Sequence, residues 1–101
     1  MENLVISELY SFSSNSNSEI MRLTFPGNYS PEEIGNFILA LCRKFDFKFT
    51  RLPAPVKTYR LGHEDDFHWQ FTLTFNGGTR KDKFLNFKNY VSGIAITCRE
   101  Q

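Results

Sequence analysis

The chain has little cysteine, little glycine or proline, no long apolar run and almost no net charge. Its two cysteines, Cys42 and Cys98, are too few for a disulfide scaffold and lack metal-ligand spacing. The expectation is two free, buried thiols in a reducing compartment, and hence a cytoplasmic protein. With 6 glycines and 4 prolines in 101 residues, the composition is neither collagenous nor disordered. No apolar stretch approaches the ~18–20 residues that a membrane helix needs. The opening Met1-Glu2-Asn3-Leu4-Val5 has no positive region and no long apolar run after it, so no secretory signal is expected. Phosphate loops, dinucleotide fingerprints, H-E-x-x-H and G-x-S-x-G are missing too. Gly77-Gly78 is a turn, because no Lys-Ser/Thr follows it to bind phosphate and magnesium. No cofactor is implied, and the chain reads as a non-enzyme.

Phenylalanine, by contrast, is in excess: 11 copies beside 4 tyrosines and 1 tryptophan. A domain of this size buries only about two-thirds of the surface its unfolded chain exposes. Aromatic side chains give the most apolar area per ordered residue, roughly 150–250 Å² each. The excess therefore reads first as a core. The net charge of +1 hides alternating blocks. Glu2, Glu8, Glu19, Glu32 and Glu33 precede Arg43, Lys44, Lys48, Arg51, Lys57 and Arg60. Glu64-Asp65-Asp66 follow, then Arg80, Lys81, Lys83 and Lys88. Folded, such blocks can become single-sign patches.

Two β-rich segments come first. Residues 4–12 read as a strand with Leu4, Ile6, Tyr10 and Phe12 on one face and Val5 and Leu9 on the other. Residues 20–25 read as a second strand, with Met21, Leu23 and Phe25 inward and Arg22 and Thr24 outward. The Ser/Asn run 13–18 between them suits a hairpin tip. Ser30-Pro31-Glu32-Glu33 then marks a helix start: an N-cap, a first-turn proline and a capping box, with Tyr29 and Ile34 placed for a hydrophobic staple. Ile34, Phe37, Ile38, Leu41 and Phe45 form one apolar stripe, which predicts a helix over 31–45. Residues 47–51 alternate like a strand, Pro53-Ala54-Pro55 break it, and 56–61 resume in extended form. After the polar turn 62–66, residues 67–75 alternate strictly, with Phe67, Trp69, Phe71, Leu73 and Phe75 on one face. Trp69 is expected to be largely buried against the first helix. A second helix is favoured over a strand for the segment carrying Phe84, Phe87 and Val91, with Thr79 as its cap. Ser92-Gly93 is expected to end it, and 94–98 to form a last strand.

The predicted fold is one α+β domain over 1–101. It is a two-layer sandwich, a mainly antiparallel sheet of about five strands with two helices on one face. The order is ββ-α-β(β)-β-α-β, whose tail resembles the ferredoxin-like arrangement in element order alone.

Three groups are candidates for function. His63, Glu64, Asp65, Asp66 and His68 have the residue types of metal ligands but not the spacing, and read better as a solvated turn. The basic residues Arg43, Lys44, Lys48, Arg51, Lys57 and Arg60, interleaved with Phe47, Phe49 and Tyr59, have the composition of a single-stranded nucleic-acid site. The plainer reading places Phe47 and Phe49 in the core. Lastly, helices on the aromatic face of strand 67–75 would leave His68, Gln70, Thr72 and Thr74 on an open sheet face, a common docking surface for proteins. The leading expectation is a small protein-binding module using that face. A stoichiometric inhibitor, such as an immunity protein or a phage- or plasmid-encoded antagonist, is its narrower form. The nucleic-acid site is the alternative.

Overall fold

The computed structural model describes residues 4–13, 18–47, 53–75 and 81–99, with side chains of the last helix described over 82–94. Six elements follow in order: β1 (Glu8–Ser13), β2 (Glu19–Pro26), α1 (Pro31–Lys44), β3 (Val56–Tyr59), β4 (Phe67–Phe75) and α2 (Lys81–Arg99). The strands form one antiparallel sheet in the order β1-β2-β4-β3.

The hairpin expected at the start is present. β1 pairs with β2 from Glu8↔Thr24 to Ser13↔Glu19. The face assignment of its first strand is not. Ser7 N–H donates to the Thr24 carbonyl at 2.8 Å, one residue out of step with the Glu8↔Thr24 pair. An extra residue on one strand is the mark of a β-bulge, and it shifts the alternation. Ile6 is therefore buried and Leu9 packs on the core, although they are three residues apart. Tyr10 and Phe12 are turned to the face away from the helices, opposite Arg22 and Ile20.

α1 begins as its sequence dictates. The Glu33 N–H donates to Ser30 Oγ at 3.1 Å and the Ser30 N–H donates to Glu33 Oε1 at 2.9 Å, closing the capping box. Tyr29 packs on the core, and its hydroxyl accepts a hydrogen bond from Val5 N–H at 2.9 Å. Glu32 and Glu33 in the first turn, and Arg43 and Lys44 in the last, match the helix dipole. The chain leaves α1 through Asp46 at a φ of 57°. Before α1, Gly27 lies so close to the Phe67 carbonyl that a Cβ would collide with backbone.

One cluster unites the helices with one side of the sheet: Met21, Leu23, Phe25, Phe71, Leu73 and Phe75 against Ile34, Phe37, Ile38, Leu41, Phe84, Phe87, Val91 and Ile94. The rings meet edge-on, Phe25 with Phe37 at 6.1 Å and Phe75 with Phe84 at 4.9 Å. Fully burying a side chain of this size is worth roughly 1.5–3 kcal/mol. Most of the phenylalanine excess is thus core.

Two expectations at the C-terminal end are corrected. α2 does not stop at Ser92-Gly93 but runs on to Arg99, so 94–98 is helix and not a last strand. Ile94 is buried and continues the Phe84, Phe87, Val91 spacing. Burying it exceeds the ~1 kcal/mol that a glycine costs inside a helix. The sheet therefore has four described strands rather than five, and the order ββαββα lacks the final strand of a βαββαβ tail. β1, from the other end of the chain, lies beside β2 instead. The strand expected at 47–51 lies mostly outside the described residues, as does Thr79; Phe47 itself is not in a strand. Trp69, expected to be buried, lies on the core side of β4 opposite Phe25 and is partly buried. It packs against the core cluster with Phe67 edge-on at 5.7 Å. Its Nε1 is enclosed without a hydrogen-bond partner among the described residues.

Candidate functional site

Strand alternation fixes what lies opposite the helices. In β4, Phe71, Leu73 and Phe75 point into the core, so His68, Gln70, Thr72 and Thr74 share the other face. No described helix packs on that face. His68 and Thr74 are exposed, and Gln70 and Thr72 are partly so. The register adds neighbours that the sequence reading did not include. Gln70 lies between Thr24 and Val56, with Glu8 beyond Thr24. Thr72 faces Arg22, which faces Tyr10, and Thr74 faces Ile20, which faces Phe12. The result is a polar centre on β4, an apolar flank of Tyr10, Phe12 and Ile20, and an exposed Val56 on the other side.

Tyr10 is 58% exposed and its ring lies 5.4 Å from that of Phe12. A shallow depression of about 110 Å³ opens among Glu8, Tyr10, Arg22, Thr24 and Gln70. Small-molecule sites generally take about 300–1,000 Å³, so this one suits a side chain better than a free ligand. A wider depression of about 280 Å³ lies at the end of the face, lined by Thr58, Tyr59, Arg60, Asp66 and His68.

The acidic and histidine-bearing segment is a hydrogen-bonded turn. His63 N–H donates to the Arg60 carbonyl at 2.8 Å and Asp66 N–H to the His63 carbonyl at 3.1 Å. Gly62, at a φ of 85°, supplies the left-handed step that a side chain would strain. Among the described residues no group of three His, Cys, Asp or Glu side chains converges to hold a metal ion.

The basic segment is distributed over separate elements. Arg43 and Lys44 are exposed in the last turn of α1. Lys44 Nζ sits 4.5 Å above the Tyr90 ring and 3.4 Å from its hydroxyl. Lys57 lies instead on β3, 4.2 Å over Phe67 and 5.7 Å over Trp69. Arg60 is exposed just beyond β3. Lys48, Phe49 and Arg51 lie outside the described residues. Phe47 packs inward, 5.0 Å from Phe75 and 5.3 Å from Phe87, with Lys83 Nζ 4.7 Å over its ring. A ring held that way offers no face for a base to stack on.

Cys42 is a buried free thiol on α1, and burial pushes its pKa up from 9.0 to about 11. A thiol so protonated at neutral pH is a poor nucleophile. No protein-family model, curated protein or solved structure matches the chain.

Proposed function

We propose that the protein is a small interaction module that docks a partner protein on the open face of its sheet and carries out no catalysis. The observation that supports this most is the composition of that face. Hydrogen-bonding side chains from Gln70, Thr72 and Thr74 lie beside Tyr10, Phe12 and Ile20, with no described helix covering them. Aromatic side chains are enriched where proteins meet, and a face with one acid and one base on its β1–β2 side favours a partner with matching charges. Inhibition of an enzyme at one-to-one stoichiometry is the narrower form of the proposal. The alternative, binding of single-stranded nucleic acid by residues 43–60, would use exposed Arg43, Lys44, Lys57 and Arg60, with Lys48 and Arg51 outside the described residues, and would do without Phe47.

Capture from the native host with the wild type and with Gln70→Arg/Thr74→Arg, both folded, tests the reading. One protein recovered at near-stoichiometric yield by the wild type and lost with the variant is the expected result. Equal recovery by both, or nothing specific from either, contradicts it. Retention on a mixed oligonucleotide pool at low salt, weakening steeply as salt rises, would support the alternative instead.

A further inference from the structure

The sheet ends in two edges of different character, neither paired on its outer side by another described strand. β3 is four residues long, is preceded by Pro53 and Pro55, and carries Lys57. Shortness, proline and lysine are the devices by which proteins blunt an edge. β1 is six residues long, Glu8-Leu9-Tyr10-Ser11-Phe12-Ser13, with no proline and no lysine. No described segment pairs with its outer side. Beside that edge stand Tyr10 and Phe12, on the face the helices leave open.

We propose that β1 pairs antiparallel with β1 of a second copy of this chain, joining the two sheets edge to edge about a two-fold axis. The strand suits itself. With the axis at Ser11, Tyr10 of each copy faces Phe12 of the other, and Leu9 faces Ser13. Cross-strand aromatic pairs are among the favourable ones. Residues of like parity meet, so the two open faces stay on one side and the helices on the other. Tyr10, Phe12 and Ile20 of both copies then form one apolar strip across the junction. Charge selects the direction. Glu8, the strand's only charged residue, ends six positions from its counterpart, about 20 Å at 3.3 Å per residue. That exceeds the Debye length of roughly 8–10 Å. A parallel, in-register pairing would bring the two carboxylates together.

A six-residue edge buries less than the ~800 Å² per partner of a stable interface. The dimer is therefore concentration-dependent. Sedimentation equilibrium from about 10 μM to about 1 mM reads it without any variant: the average mass should rise from 11.8 kDa toward twice that value. Tyr10→Lys/Phe12→Lys, which places charges beside the edge, should hold the mass at the monomer value throughout with unchanged melting. Val56→Lys, on the other edge, should leave the rise intact. A wild type that stays monomeric at every concentration overturns the proposal. So does a dimer that survives the β1 substitutions or is equally abolished by Val56→Lys. A monomer that still captures its partner through Gln70 and Thr74 would leave the open-face function standing while removing the dimer.

Discussion

The two faces of the sheet are built from alternate residues of the same strands and do different work. On the helix side, Met21 faces Leu73 and Leu23 faces Phe71, and all four are at most 1% exposed. One residue along, Arg22 faces Thr72 and Ile20 faces Thr74 on a surface that no described element covers. The first set can be changed only at the cost of the fold. The second can vary with little effect on stability, which leaves it available for recognition. In a domain this small, function on the second face depends on how tightly the first is packed.

The helix side is where substitution should tell most. Phe87 is fully buried, edge-on to Phe45 and Phe47 and packed on Phe75. Phe87→Ala should lose about 3–5 kcal/mol in a urea titration. A loss near that of a surface substitution would break the contrast between the faces. Ser30→Ala removes one half of the capping box and should cost about 1 kcal/mol, read as a lower urea midpoint with unchanged slope. Gly93 sits inside α2 with open space around a would-be Cβ. Gly93→Ala should therefore stabilise by roughly 0.5–1 kcal/mol. Destabilisation instead would mean that the helix ends there and that Ile94 is not part of the core face. Cys42 sharpens the comparison only at high pH. The folded state holds the thiol proton more tightly than the unfolded chain. Stability should be unaffected below about pH 9 and should fall as pH rises from 9.0 toward 11. Cys42→Ala should flatten that alkaline limb, measured as the melting temperature against pH relative to the wild type.

Local signals were legible in the sequence where several agree. Ser30, Pro31, Glu33 and the stripe from Ile34 to Leu41 place α1 to within a residue, because cap chemistry and periodicity are both local. Strict alternation placed β4 and, with it, His68, Gln70, Thr72 and Thr74 on one face. Two features were not legible. The segment Ile94-Ala95-Ile96-Thr97-Cys98 is β-branched and follows Ser92-Gly93, which mimics a stop; burial of Ile94 against the core decides for helix, and burial is not a local property. Unbroken alternation puts Tyr10 and Phe12 on the face of Ile6, but the bulge at Ser7 is set by a hydrogen bond to Thr24 and leaves no mark in the residue pattern. The apolar flank of the candidate site was missed for that reason.

The most direct measurement is equilibrium urea unfolding of Leu73→Arg beside Thr74→Arg, adjacent residues of β4 on opposite faces. Thr74→Arg should unfold within about 0.5 kcal/mol of the wild type. Leu73→Arg, which buries an unpaired charge, should lose more than about 3 kcal/mol and much of its cooperative transition. Equal effects from the two, or the larger loss at Thr74, would contradict the division of the sheet into a structural face and a recognition face.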